Sequence, residues 1–298
     1  MNELATLSGN TDYCERQKPA FECPIRLGSK EHLRLFCMEL LETHDPYRPA
    51  VIDWPALSPV ALQRVTSLPI WNMAVQKEGF ASMSVASFAQ SVSEPLLRQA
   101  LDMNAREEAR HKEVLSHLVR AYGIALEEEP EYSVQEDPER AWMAIGYGEC
   151  IDSFFAFGLF EAARRTGFFP AELIETFDPV IQEEGRHIIF FVNWVAWKRR
   201  NLPWWRRPLF ALKIISVWCQ LIRDRVSMAK SIDVNNAGND LNFTATGSAA
   251  IGARMRPSDM LRLCQSENAR RLEPYDPRLL RPRLVPAVAR FVGKFMRD

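Results

Sequence analysis

The pentapeptide EEARH at 107–111 returns as EEGRH at 183–187, so that Glu108 and Glu184, and likewise His111 and His187, stand 76 residues apart. The chain has five histidines, and two of them sit in nearly the same pentapeptide. Either this is coincidence, or the chain carries two copies of a unit whose Glu-x-x-His step does chemistry. On a helix that step puts both side chains on one face, one turn apart. A carboxylate and an imidazole placed so can bind one metal ion together.

The surrounding sequence supplies the helices. Apolar residues recur with helical spacing over about 68–91, 94–121, 138–166 and 170–201. The second stretch opens on Ser93-Glu94-Pro95, a cap followed by proline in the first turn. The third stops at Gly167, and the fourth ends in WKRRN, with bases at the C-terminal dipole end. Pro179 is expected to kink the fourth or to end a first segment of it. No strand-period pattern competes between 65 and 202. Four long helices in two hairpins predict an all-α fold built on a four-helix bundle.

The flanks read as additions to that bundle. Residues 1–28 look irregular, a helix follows over 29–44 from a Ser29 cap, and a Pro-rich connector spans 45–59. Beyond 202 come an amphipathic helix at about 207–230 entered through LPWWRRP, a polar loop, DVNNAGNDLNFTATGS, and shorter helical patterns near 257–272 and 283–297. We read 1–298 as one domain, with a metal-binding core at 65–202, an N-terminal extension at 1–64 and accessory helices at 203–298.

Composition narrows the function. With 37 basic and 38 acidic residues, the chain gives no reason to expect a nucleic-acid partner. The six cysteines include no C-x-x-C pair and read as free thiols in a reducing compartment. The N-terminus lacks an apolar core of the secretory type, and the longest nearly apolar run, 208–222, contains Lys213 and is too short to span a bilayer. A soluble, cytoplasmic protein is expected.

Two Glu-x-x-His helices, each joined by a lone glutamate from a neighbouring helix, supply four carboxylates and two histidines, the ligand set of a dinuclear metal bundle. The first long helix contains one acidic residue, Glu78, which precedes Glu108 by 30 residues. The third offers Glu149, Asp152 and Glu161; Glu149 precedes Glu184 by 35 and Glu161 does so by only 23. Equal depth in an antiparallel hairpin favours Glu149. The candidate set is therefore Glu78, Glu108, His111, Glu149, Glu184 and His187. Arg110 and Arg186 recur between the ligands, as do Glu107 and Glu183 before them; they read either as ordinary surface pairs or as supports that orient ligands and offset charge. Asp152, one turn from Glu149, is a candidate acceptor for a histidine N–H. His32, His44 and His117 have no constellation around them and read as structural.

With these residues in hand, 65–202 resembles the ferritin-like di-iron carboxylate superfamily, whose pattern E…E-x-x-H…E…E-x-x-H appears as Glu78, EEARH, Glu149 and EEGRH. The resemblance implies that Glu108 and Glu184 bridge two metals, that Glu78 and Glu149 are terminal carboxylates, and that each histidine binds one metal. It implies two iron ions per chain, with Mn/Fe or Mn₂ as alternatives, and O₂ as co-substrate.

The branch is narrowed by what is missing. A storage ferritin would be much shorter. A rubrerythrin would need a C-x-x-C iron site, and a nucleotide-reductase subunit a radical tyrosine, whereas Tyr147 points to another face. What remains is an oxygenase or oxidase that hydroxylates, desaturates, cleaves or N-oxygenates a small, largely apolar organic molecule, with electrons from a partner reductase or from the substrate. Gly146, Gly148 and Gly158 lie inside the third helix at about 1 kcal/mol each relative to alanine; they serve either close helix packing or space beside the metals. Phe154, Phe155, Phe157 and Phe160 would then wall that space, or simply belong to the core. The competing reading is a ferritin-like protein with no organic substrate, handling iron or peroxide. A homodimer is compatible with the chain. The helix after PWWRR would pack its apolar face on the bundle or, less simply, meet a membrane surface.

Overall fold

The computed structural model describes residues 24–45, 47–234 and 255–295; the expectations for 1–23, for the polar loop beyond 234 and for the last turn of the C-terminal helix lie outside the described residues. Helix α1 (Lys30–Glu42) begins where the Ser29 hydroxyl accepts the His32 N–H at 3.1 Å. After a 3₁₀ turn (Pro49–Val51) comes α2 (Pro59–Thr66), capped by Ser58. Helix α2 is not foreshadowed in the sequence, because eight residues are too few to display a period.

The four long helices follow as expected: α3 (Trp71–Ser91), α4 (Pro95–Ala121), α5 (Pro138–Thr166) and α6 (Ala171–Asn201). Glu94, rather than Ser93, caps α4, its carboxylate accepting the Leu97 N–H at 2.6 Å. Asp137 caps α5, and Gly167 ends it in the left-handed conformation (φ 63°) that suits glycine. Pro179 does not end α6; the bond it forfeits is outweighed by apolar burial on both sides of it, at Leu173, Ile174 and Val180.

Helices α3 and α4 form one hairpin and α5 and α6 the other, with α3 against α5 and α1 lying along α4 and α6. Toward one end, Phe88, Trp142, Phe190, Phe191 and Trp194 form a buried aromatic core. Each such side chain contributes about 1.5–3 kcal/mol by burial. Toward the other end lies a second cluster, with Val65, Leu118 and Leu173. The level of Glu108 and Glu184 falls between the two, in mid-bundle.

The accessory helices are α7 (Arg207–Val234), reached through a 3₁₀ turn (Trp204–Arg206), α8 (Pro257–Leu272) and α9 (Leu284–Gly293). All three pack on α5. By length and composition α5 could cross a membrane, a property the sequence reading did not register, but Trp142, Phe154 and Phe157 bury it inside the bundle.

Its glycines divide. A Cβ on Gly146 would lie 2.2 Å from the Phe191 ring, and one on Gly158 would lie 2.3 Å from Cys264 Sγ on α8, so both serve close packing. A Cβ on Gly148 would meet nothing within 4 Å. Phe154 and Phe157 are core residues, and Phe160 packs in a peripheral cluster with Ala162, Ala163 and Ile174.

Candidate metal centre

Each long helix contributes to one cluster: Glu78 from α3, Glu108 and His111 from α4, Glu149 from α5, Glu184 and His187 from α6. Their donor atoms fall into three overlapping trios, each within 4.8 Å: Glu108–His111–His187, Glu78–His111–Glu184 and Glu149–Glu184–His187. Glu108 and Glu184 thus keep company with both histidines, Glu78 only with His111, and Glu149 only with His187. The imidazole centroids are 5.5 Å apart. His187 Nδ1 stands 2.9 Å from Glu108 Oε1, and His111 Nδ1 stands 3.2 Å from Glu184 Oε1 and 3.8 Å from Glu78 Oε2.

The outer nitrogens are held crosswise. His187 Nε2 bonds Glu107 Oε2 at 2.9 Å, and His111 Nε2 bonds Glu183 Oε2 at 2.8 Å. The first glutamate of each pentapeptide therefore fixes the histidine of the other. The arginines follow the same rule: Arg186 donates to Glu107 and Arg110 donates to Glu183.

Two further residues close this outer layer. His44 Nδ1 lies 2.6 Å from Glu107 Oε1, and the Tyr47 hydroxyl donates to Glu183 Oε2 at 3.2 Å beneath the Arg110 guanidinium. The sequence marks His44 only as structural and does not single out Tyr47. Both come from the aperiodic connector after α1, where no spacing signals a shared site.

Asp152 has a different role from the one expected. It accepts from Lys77 at 2.7 Å and from Arg225 of α7 at 2.6 Å, so it ties α3 and α7 to α5; the histidine N–H groups already have Glu107 and Glu183. His32 is buried against Asn193 (2.9 Å). Two supports of the inner carboxylates were also missed: Asn104, one turn before Glu108, which donates to it at 3.3 Å, and Ser153, which donates to Glu184 at 3.4 Å. The i, i+4 step from Asn104 to Glu108 was the available signal.

Burial and charge act strongly on these groups. Burial opposes an imidazolium at His111, but Glu183, Glu184 and Glu78 outweigh it and hold the histidine well above its ordinary range. The same contest at His187 is won by Glu108 and Glu107. Burial, with Glu108 and Glu184 nearby, pushes Glu149 well above the usual carboxylate range, and Glu108 rises to about 7, burial outweighing the attraction of His187. Glu107 goes the other way: burial raises it, but His187 and Arg186 more than compensate.

The inner donors fit a cation. His111 Nδ1, His187 Nδ1 and both Glu149 oxygens are buried without any hydrogen-bond partner. Each Nδ1 lies beside a carboxylate, at 3.2 Å for His111 and 2.9 Å for His187, without being hydrogen-bonded to it. Unpartnered buried groups cost about 1–3 kcal/mol each. Two donors at right angles on one ion, with bonds of about 2.1 Å, stand about 3 Å apart, which matches the 2.9 Å from His187 to Glu108. The cluster is enclosed except on one side, where the Glu78 and Glu184 side chains are 20% and 18% exposed.

No family model and no curated protein matches the chain. Among solved structures it is similar to a point variant of an R2-like ligand-binding oxidase with an anaerobically reconstituted Mn/Fe cofactor, at 15% identity and a TM-score of 0.50, over 82% of this chain and 93% of that one. The likeness is one of fold: the described residues have an all-helical, ferritin-like architecture.

Proposed function

We propose that the chain is a dinuclear-metal oxidoreductase that uses O₂ to oxidise a small organic molecule. The observation that carries the reading is the pair of histidines with unpartnered inner Nδ1 atoms and outer Nε2 atoms fixed by buried carboxylates. An Nε2–H held by a carboxylate leaves the Nδ1 lone pair for a metal. Glu108 and Glu184 would bridge, Glu78 and His111 would complete one position, and Glu149 and His187 the other. Two iron ions, or manganese with iron, held by such ligands supply redox chemistry with O₂.

The chain's own residues do the rest. Glu107 and Glu183 orient the imidazoles and offset their charge, and Arg110 and Arg186 keep those carboxylates ionised in a buried setting. Small molecules approach on the Glu78–Glu184 side. The approach we assign is the space beside Gly148, one turn from Asp152, where a Cβ would meet nothing within 4 Å, with the Lys77–Asp152–Arg225 pairs alongside. The α4 and α6 pentapeptides close the opposite side and exclude water from the histidines.

Elemental analysis of protein reconstituted anaerobically with iron tests the reading first. About two metal ions per chain, lost in His111→Ala and His187→Ala with helical content kept, together with O₂ uptake by the reduced protein, are the expected results. Full metal occupancy in His187→Ala, or none in the parent protein, would sink it.

A further inference from the structure

Helix α7 is apolar on two sides. Phe210, Ile214, Val217 and Leu221 pack toward the bundle. The opposite side carries Leu209, Leu212, Ile215, Ile222 and Val226, and the turn before the helix carries Trp205, each 48–64% exposed. Helix α9 and the turn after it repeat the arrangement: Ala289 is buried, while Leu284, Val288, Phe291 and, in the turn, Phe295 stand 51–70% exposed. Seventeen large apolar side chains are exposed among the described residues, and twelve of them lie in 204–226 and 284–295. Scattered exposure needs no explanation, but concentration on two helices does. The sequence left packing on the bundle or meeting a membrane surface as alternatives, and one side of α7 does pack on the bundle.

The charge beside these stripes is predominantly positive. Arg199, Arg200, Arg206 and Arg207 cluster where α7 begins, and Arg223 stands on its outer side, 3.8 Å from Asp224, the lone acid in 199–226. Around α9, 283–295 holds Arg283, Arg290 and Lys294 and no acid. The chain as a whole is at −1, so this bias is local. Arg206 stacks on the exposed Trp205 ring at 4.8 Å. Exposed tryptophan and aliphatic side chains with arginine alongside are suited to the interface of a lipid bilayer with anionic headgroups. A second copy of this chain fits less well, because a two-fold contact would set the arginines against their own like.

We propose that α7, with α9 following it along α5, docks the protein on an anionic lipid surface. The full chain is mixed with phosphatidylcholine vesicles, with or without about a third phosphatidylglycerol, and bound protein is measured by co-sedimentation at increasing salt. Sedimentation velocity without lipid is run in parallel. Expected are a monomer without lipid, binding to the anionic vesicles that weakens with salt, and little binding to the neutral ones. Leu212→Glu with Ile215→Glu should abolish binding, and Arg206→Ala with Arg223→Ala should weaken it by roughly thirtyfold. All four side chains are on the surface, so far-UV circular dichroism should be unchanged. Equal binding to both vesicle types, or undiminished binding by the double glutamate variant, would overturn the proposal. So would a lipid-free dimer that the same variant dissociates, since the stripe would then be a contact between copies.

Discussion

His187 Nε2 lies 2.9 Å from Glu107 Oε2, a carboxylate delivered not by its own motif but by the other one, 80 residues earlier. The exchange is reciprocal through His111 and Glu183. Neither pentapeptide is complete alone: each presents a glutamate and a histidine inward and lends its first glutamate and its arginine to the partner. The repeat of all four residues, rather than of Glu-x-x-His alone, thereby has a physical cause.

If Glu107 and Glu183 orient and polarise the histidines, Glu107→Gln and Glu183→Gln should each lower metal affinity by about 10–100-fold with every inner ligand intact. Glu107→Ala should do more, since it strands the buried Arg186 and the His187 ring; a loss of about 3–5 kcal/mol of stability is expected. Metal titration and urea unfolding of the metal-free variants separate the two effects. Wild-type affinity in Glu107→Gln would show that the outer bond is only structural.

Glu149 offers the opposite sign. Both its oxygens are buried and unpartnered, so without metal it is a liability held for a function. Glu149→Leu should make the metal-free protein about 1–3 kcal/mol more stable to urea while abolishing one metal position. A destabilised Glu149→Leu would mean that the carboxyl already has a partner.

Much of this was legible in the sequence, for a specific reason. The six inner residues lie on four long periodic helices, and a matched pentapeptide sets their depth. What was not legible depends on helix rotation and on aperiodic chain. Asp152 shares a helix turn with Glu149, yet its face looks to Lys77 and Arg225. His44 seems isolated in sequence because its partner, Glu107, lies 63 residues away. The crosswise bonds could not be read either, since a repeat alone does not say whether each unit supports itself or the other.

The glycines of α5 give a contrast within one helix. Gly146→Ala would drive a Cβ into the Phe191 ring, at 2.2 Å, and should cost about 1–3 kcal/mol. Gly148→Ala meets nothing and should gain about 0.5–1 kcal/mol from helix propensity. Thermal unfolding of both variants decides the matter. Equal losses would place Gly148 in close packing too and close the space assigned to approaching molecules.

The histidines make the two forms of the protein respond differently to pH. In the metal-free form both are raised above their ordinary 6.5 by buried carboxylates. A raised value means that their contribution to stability is fully present below 6.5 and is lost as pH rises through the folded-state values. Metal binding needs them neutral, so each gives up a proton, and affinity increases over the same interval. Bound metal stabilises in proportion to the logarithm of its concentration over Kd. The gap in Tm between metal-loaded and metal-free protein should therefore widen as pH rises from about 6. Calorimetric titration in buffers of different ionisation enthalpy should also register proton release. A gap that stays constant, with no protons released, would remove the histidines from the metal positions and leave the crosswise bonds as a feature of the core.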